Sequence, residues 1–144
     1  MVKVDRVPDR PGIAAKIFAA VASVDVSVDL ILQNASVERI VDLSFTVPQS
    51  DVARVMNALG PVSTEIEAAG VEALEDLTKV ELVGTGILSD PAYVGRMFRV
   101  LADAKVNILA IGTSEIRITC LIEHAARSRA EKALNEAFQV NSKP

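Results

Sequence analysis

Two stretches of the chain, DRPGIAAKIFAAVASVDVSVDLILQNAS (residues 9–36) and SDPAYVGRMFRVLADAKVNILAIGTSE (residues 89–115), follow the same plan. At an offset of 80 positions the coinciding residues are Pro11 with Pro91, Phe18 with Phe98, Ala22 with Ala102, Val26 with Val106, and Ile31 with Ile111. Self-similarity at a fixed spacing indicates one structural unit used twice.

The first copy predicts a strand before residue 9, a helix, two strands and a second helix. Its first helix has apolar residues at helical spacing, namely Ile13, Ile17, Phe18, Val21 and Val24. Strands are expected at residues 26–32 and 40–47. Ser50 or Asp51 can cap a helix that is expected to end at Gly60-Pro61, and a further strand is expected within residues 62–74.

The second copy repeats this order. A strand is expected at residues 80–83, followed by a helix with the apolar stripe Val94, Met97, Phe98 and Leu101. Residues 106–111 predict the next strand, and the alternation of Ile116, Ile118, Cys120 and Ile122 predicts a half-buried one. A helix over residues 126–138 follows, and Gln139 and Val140 leave room only for a short last strand.

The order β-α-β-β-α with a final strand is typical of the ferredoxin-like, split βαβ plan. The predicted class is therefore α+β: two βαββαβ domains, each an antiparallel sheet with both helices on one face. We expect the domains at residues 1–75 and 76–144, with the option that strands are shared between them. About 70 residues make a small core, so the open edges are expected to pair with another copy.

Composition excludes several classes of function. Half of the 144 residues are hydrophobic but only 3% are aromatic, so Val, Ile, Leu and Ala build the core and few rings are left for stacking on bases. The net charge of −4 does not favour nucleic acid or an anionic membrane. The single cysteine fits a reducing compartment. No apolar run is long enough to span a bilayer, and residues 1–8 do not resemble a signal peptide. We therefore expect a cytoplasmic protein.

Catalysis and metal binding are disfavoured by residue type. His124, the single histidine, has no evident partner and is interpreted as a surface or capping residue. Cys120 shares a strand face with isoleucines and is interpreted as a buried small hydrophobe. One histidine and one cysteine cannot form an ordinary zinc site, and the Gly84-Thr85-Gly86 stretch lacks the third glycine of a dinucleotide fingerprint. Arg127 and Arg129 are expected on a solvated helix face. No catalytic residue, metal or cofactor is predicted.

Ferredoxin-like sheets also bind RNA through exposed aromatic residues on their central strands. Four of the five aromatic residues here fall in predicted helices or at helix starts, and only Phe45 falls in a strand. The RNA hypothesis is therefore disfavoured.

The VPDRPGIAAKIF stretch (residues 7–18) suggests a small-ligand loop. Pro11 suits a first helical turn, and Gly12 leaves the backbone accessible. The amides near Ile13, Ala14 and Ala15 would then face outward at the positive end of the helix dipole, which suits a carboxylate. Asp9 either binds an ammonium group or simply caps the helix. The first option describes a site for a zwitterion such as a free amino acid.

Several motifs resemble the tandem ACT domains of aspartate kinase: residues 7–18, ILQN at 31–34, SFTVPQSD at 44–51, KVELVGTGILSDP at 79–91, and VNILAIGTSEIRI at 106–118. The likeness runs from about residue 4 to residue 138. It implies a regulatory region or β subunit without the kinase domain, hence no phosphotransferase activity in this chain. In that family, paired modules bind lysine or threonine and restrain the kinase.

The resemblance also implies roles for individual residues. Asp9 would hold the ammonium group, Ile13 and Ala14 the carboxylate, and Gln33 the side chain, with Pro11 and Gly12 shaping the loop. Asn107 and Ile108 would contribute from the opposite module of a second chain. A second, pseudo-equivalent pocket would use Ser89, Asp90, Tyr93, Val94, Thr113, Ser114 and Glu115. Ser27 stands where many relatives have asparagine, and residues 36–41 form a shorter segment than in close relatives.

We therefore expect a homodimeric regulatory partner of a catalytic α subunit that binds threonine first and lysine second, and feedback-inhibits the kinase. The alternatives are a stand-alone amino-acid sensor acting on another enzyme or transporter, and an enzyme that uses Asp9 or His124.

Overall fold

The structure is a computed structural model, and it describes residues 1–34, 36 and 38–139. The chain divides into two compact units, Met1–Glu75 and Asp76–Pro144, which we call module 1 and module 2. Each is described by itself.

Module 1 contains a four-stranded antiparallel sheet with two helices. Its elements are β1 (Val2–Pro8), α1 (Ile13–Ser23), β2 (Ile31–Gln33), β3 (Ile40–Phe45), α2 (Val52–Glu65) and β4 (Gly70–Ala73), with a 3₁₀ turn at Gln49–Asp51 before α2. The strand order is β2-β3-β1-β4, which is the ferredoxin-like order. Arg6, at φ 49°, lies in an irregularity of the β1–β3 register between Val4 and Val7.

The core of module 1 lies between the sheet and both helices. Alternate residues of β1 and β3 are buried, and they meet the apolar stripes of α1 and α2. The fully buried centre comprises Val2, Val4, Val7, Ile17, Val21, Leu43, Phe45, Val55, Leu59 and Ile66. Phe18 adds an edge-to-face contact with Phe45 at 5.3 Å between ring centroids.

Module 2 repeats the plan. Its elements are β5 (Leu77–Val83), α3 (Pro91–Asp103), β6 (Ala110–Ser114), β7 (Arg117–Glu123) and α4 (Arg127–Phe138), with a 3₁₀ turn at His124–Ala126 before α4. The described sheet has the order β5-β7-β6, which is the order of the module 1 sheet without a counterpart of β4. The predicted strand at Gln139 and Val140 falls mostly outside the described residues. Gln139 itself is the C-cap of α4 and has left-handed backbone angles, with φ 50° and ψ 37°.

The core of module 2 again joins sheet to helices, through Met97, Leu101, Ile118, Cys120, Ile122, Ala130 and Leu134. The predicted half-buried strand is β7, but residues 118–122 are buried on both of its faces. Ile116 lies outside the strand, in the β6–β7 turn, and is 49% exposed. Two α+β modules of the ferredoxin type confirm the predicted fold class.

The prediction that Gly60-Pro61 ends the second helix is wrong, since α2 continues to Glu65. Packing explains the difference. Val52, Val55 and Leu59 are buried, and Ile66, just past the end of the helix, is buried with them. Gly60 has no Cβ to clash with the proline ring, and its carbonyl accepts a hydrogen bond from the Ser63 hydroxyl at 2.7 Å. Burial of the stripe therefore overrides the local stop signal.

Both second strands begin later than predicted. Residues 26–30 precede β2, and residues 106–109 precede β6. Val26 and Val106 are buried although they lie outside the ladders, because both pack into the helix-facing cores. The apolar runs therefore predicted the burial of Val26 and Val106 correctly, but the strands that pair in the sheets begin several residues later.

Candidate functional site

The loop between β1 and α1 is four residues long and is fixed at its first residue. The Asp9 amide donates to the Arg39 carbonyl at 2.8 Å, which ties the loop to the start of β3. Gly12 is the N-cap of α1, with φ 93° and ψ −15°. This left-handed conformation is rarely adopted by residues with a Cβ. Pro11 therefore precedes the cap, which corrects the expectation that it lies in the first helical turn.

The first turn of α1 has open amides. Its N-cap provides no side-chain hydrogen bond, and the Ile13 amide reaches the Arg10 carbonyl only at 3.4 Å. Among residues 1–34, 36 and 38–139, the amides of Ala14 and Ala15 have no hydrogen-bond partner. Asp9 is exposed and does not cap the helix, so the ordinary-cap interpretation of this acid is wrong. Open amides at the positive end of a helix dipole favour an anion.

A pocket of about 310 Å³ lies beside this turn. Its lining consists of Val7, Pro8, Asp9, Arg10, Pro11, Gly12, Ile13, Ala14, Gln33, Val41 and Leu43. Val7, Ile13, Val41 and Leu43 are buried and form an apolar floor, while Asp9, Arg10 and Gln33 are exposed at the rim. An apolar floor with a few polar groups is the usual composition of a small-molecule site.

Six of the predicted binding residues line this one pocket: Asp9, Pro11, Gly12, Ile13, Ala14 and Gln33. Gln33 reaches it from β2, where it pairs with Leu43 of β3. Asn34, the next residue, instead lines a neighbouring cleft of about 320 Å³ together with Arg6, Glu38, Ile40, Val41 and Asp42. Asn107 and Ile108 belong to module 2, in the segment before β6, where Asn107 is exposed.

The second predicted set clusters at one end of module 2. Ser89 and Asp90 precede α3, and Thr113, Ser114 and Glu115 form the end of β6 and the following turn. The Gly84 amide donates to the Ile116 carbonyl at 2.8 Å, which joins the pre-helix loop to that turn. Gly86, at φ 74°, makes the tight bend that the glycine-rich stretch predicted.

The α3 start differs from the α1 start. The Asp90 carboxylate accepts a hydrogen bond from the Ala92 amide at 2.9 Å, and the Asp90 carbonyl accepts one from Tyr93 at 3.1 Å. The Tyr93 ring stacks on Phe138 of α4 at 6.2 Å. The amides of Ala92 and Tyr93 are therefore already bonded.

Cys120 lies in the core and His124 on the surface, as the sequence indicated. Cys120 is fully buried, and burial raises the pKa of its thiol to about 11. His124 is exposed, and its amide donates to the Asp76 carbonyl at 2.7 Å. Within the described ranges there is no cluster of three or more His, Cys, Asp or Glu residues able to hold a metal ion. None of the described helices is long and apolar enough to cross a bilayer.

Two arginines have roles that the sequence did not indicate. Arg129 is exposed, as expected for a solvated face, and it also donates to the carbonyls of Ala104 and Lys105 at 2.7 and 3.1 Å. Those carbonyls end α3, where a cation is favourable. Arg117 pairs with Glu81 across the β5–β7 ladder at 3.5 Å. Arg117 and Glu81 come together only through the register of β5 and β7, which the sequence does not supply.

Comparison with known proteins agrees with the fold described above. The ACT domain family model matches residues 4–60 and 80–138. Aspartokinases from Corynebacterium efficiens and Mycolicibacterium smegmatis are 38% and 40% identical over 136 and 133 residues, covering 93% and 91% of the chain. The chain spans about a third of the length of these curated relatives, namely 32% of each.

Two of the solved structures that resemble the chain are matched over almost their whole length. The regulatory subunit of aspartate kinase from Thermus thermophilus, in its ligand-free form, is 35% identical with a TM-score of 0.90, covering 95% of this chain and 91% of that one. A structure of aspartokinase α and β subunits is 36% identical with a TM-score of 0.88, covering 96% and 91%.

The chain belongs to the ACT domain family, as a tandem pair of modules. Within it, the chain corresponds to the regulatory part of aspartokinases and not to their catalytic part. This confirms the resemblance stated from the sequence.

Proposed function

We propose that this chain binds a free amino acid, threonine in preference to lysine, in the module 1 pocket and thereby restrains an aspartate kinase catalytic subunit. The observation that carries the proposal is the pocket itself. It combines open α1 amides, one acid and one amide side chain over an apolar floor.

The two charged ends of an amino acid match the two sides of this pocket. The carboxylate would accept from the amides of Ala14 and Ala15, aided by the dipole of α1. The ammonium group would pair with Asp9, and the amide of Gln33 would contact the side chain. Charge-assisted hydrogen bonds of this kind are stronger than neutral ones.

The lining favours threonine over lysine. Asp9 is the one acid among the residues that line the pocket, so one ammonium group is matched and a second one is not. A buried cation without a partner is costly, whereas the methyl group of threonine suits Val7 and Leu43. The hydroxyl group suits Gln33, since an amide side chain both donates and accepts.

A second copy of the chain would complete the site. β2 and β6 are edge strands in the described sheets, and Ile31 and Ile111 on them are 54% and 44% exposed. Unpaired edges with exposed apolar side chains favour pairing with another chain. We propose a homodimer in which Asn107 and Ile108 of the second copy approach the module 1 pocket. A ligand held by both chains would stabilise their association.

Inhibition would follow by linkage. If the bound amino acid favours one arrangement of the dimer, and the catalytic subunit is less active in it, a coupling of about 1–3 kcal/mol suffices for strong inhibition. The solved α and β subunits of aspartokinase are the precedent for such a partner.

Calorimetry with threonine and lysine tests the binding step. Asp9→Asn and Gln33→Ala should each weaken threonine binding at least about tenfold, as expected for the loss of a hydrogen bond to a charged or polar ligand group. Glu136→Gln on α4 and Gln49→Ala before α2 remove the same groups at exposed positions outside the pocket and should leave affinity unchanged. Unchanged affinity in both pocket variants would move the ligand elsewhere.

Co-purification with an aspartate kinase catalytic chain tests the regulatory step. We expect a complex whose kinase activity falls when threonine is added, and falls less with Asp9→Asn. Threonine binding without any association with that chain would instead favour a stand-alone sensor.

A further inference from the structure

The two modules differ at the residue that follows the proline present in both copies, Pro11 in module 1 and Pro91 in module 2. Pro11 is followed by Gly12 at φ 93°, while Pro91 is followed by Ala92 inside α3. A Cβ at Gly12 would meet no atom within 4 Å, so this glycine is needed for its conformation and not for space. Ala92 cannot readily take that left-handed conformation. As a result α3 begins at the proline itself, whereas α1 begins two residues after its proline.

The earlier start of α3 brings its own acid to the helix end. Asp90 becomes the N-cap, and its carboxylate bonds the Ala92 amide at 2.9 Å. The next amide, that of Tyr93, bonds the Asp90 carbonyl at 3.1 Å. In α1 the cap is a glycine, and the amides of Ala14 and Ala15 have no partner among the described residues.

A ligand carboxylate would therefore meet different conditions at the two helix starts. At α1 it finds free donors. At α3 it would compete with a tethered carboxylate for the same amide, and the negative charge of Asp90 would repel it. Because the tethered group loses little freedom on bonding, it wins over a free ligand at moderate concentration.

Packing also holds the first turn of α3 in place. Tyr93 stacks on Phe138 at 6.2 Å, and the Arg96 guanidinium lies 5.0 Å from the centroid of the same ring. Arg96 also donates to the Ala137 carbonyl. The turn is thereby tied to the end of α4, and its rearrangement around a ligand would break these contacts.

We infer that Asp90 fills from within the chain the carboxylate position at the start of α3, so that each chain takes one free amino acid, at the module 1 loop. Asp90 is on this view a specificity-determining residue, which keeps the pseudo-equivalent set in module 2 closed to the ligand. The inference rests on the proposed function.

Stoichiometry and amide resonances test it together, using the full chain labelled with ¹⁵N. Titration with threonine, and separately with lysine, should saturate at one equivalent per chain. The amide signals of Ala14 and Ala15 should move with threonine, while those of Ala92 and Tyr93 should stay. Asp90→Ala should shift the Ala92 signal without ligand and leave threonine affinity at the module 1 loop within about twofold. In this variant the Ala92 signal should also move when threonine or lysine is added, because the amide is then free to donate to a ligand carboxylate.

Each other outcome would count against the inference. In the unmodified chain, two equivalents per chain or a ligand-dependent shift at Ala92 would overturn it while leaving amino-acid binding intact. An Ala92 signal that is indifferent to Asp90→Ala, or that no ligand moves in that variant, would overturn it as well. Loss of all binding in Asp90→Ala, with binding retained in Asp9→Asn, would move the site to module 2. No binding of either amino acid would defeat the proposed function, and the inference would fall with it. Dispersed amide spectra of the variants serve as the folding control.

Discussion

Thr46 and Leu30 exchange two hydrogen bonds at the end of the β2–β3 pair. The Thr46 amide donates to the Leu30 carbonyl at 2.9 Å, and the Leu30 amide donates to the Thr46 hydroxyl at 3.0 Å. Thr46 is one of two buried polar residues among those described. Its hydroxyl continues the ladder where strand pairing ends.

Thr46→Val should therefore be destabilising despite its nearly equal volume. The substitution leaves the part-buried Leu30 amide without its acceptor, which costs about 1–3 kcal/mol. Urea denaturation of both proteins measures the change. Thr64→Val, at an exposed position of α2 where the hydroxyl has only a 3.5 Å contact to the Gly60 carbonyl, should change stability by less than about 0.5 kcal/mol. Equal effects at both sites would contradict the role given to Thr46.

Gly12→Ala should cost about 1–2 kcal/mol, because an alanine must then adopt φ 93° or distort the loop. Gly95→Ala, in the exposed middle of α3 with open space around its Cα, should instead stabilise by about 0.5–1 kcal/mol. In thermal unfolding, the Tm of Gly12→Ala should lie below that of the unmodified chain and the Tm of Gly95→Ala above it. The same sign in both would refute the left-handed cap.

Cys120 should be unreactive and should make stability fall at high pH. Burial raises the pKa of its thiol from 9.0 to about 11. Between those values the unfolded chain loses this proton while the folded chain keeps it, so unfolding becomes easier as pH rises from 9 to 11. The loss amounts to about 2–3 kcal/mol. Cys120→Ala should lack this component of the pH profile, and a thiol reagent at pH 8 should label the unfolded chain only.

Pro61→Ala should stabilise the protein. Alanine restores an amide for the Asn57 carbonyl inside α2, while the added freedom of the unfolded chain offsets part of the gain, which leaves about 1–2 kcal/mol. Pro48→Ala, at the cap of the preceding 3₁₀ turn, breaks no helix bond and should be destabilising by about 0.5 kcal/mol. Chemical denaturation distinguishes the two, and a destabilised Pro61→Ala variant would mean that the proline is favoured where it stands.

The sequence predicted the order of elements because period-2 and period-3.6 patterns are set by which face is buried. It failed at Gly60-Pro61, where burial of Val55, Leu59 and Ile66 outweighs a local stop signal. It also placed Val26 and Val106 in strands, since burial and pairing leave the same apolar trace in a sequence.

The candidate site was predicted as a set of residues but not as a geometry. That Asp9 and Gln33 line one pocket depends on the pairing of β2 with β3, which no local pattern encodes. The contrast between Gly12 and Ala92 was visible in the alignment of the two copies, but its meaning required the backbone angles and the hydrogen bond of Asp90.

Because β2 is so short, the position of Gln33 and the edge of the module 1 sheet depend on the same three residues. Gln33 is held by a three-residue edge strand with β3 as its single neighbour in the sheet, so whatever orders Gln33 also orders the border at which another chain can add. If the chain binds an amino acid and dimerises as proposed, ligand occupancy and self-assembly share one equilibrium. Apparent ligand affinity should accordingly increase as the protein solution is made more concentrated.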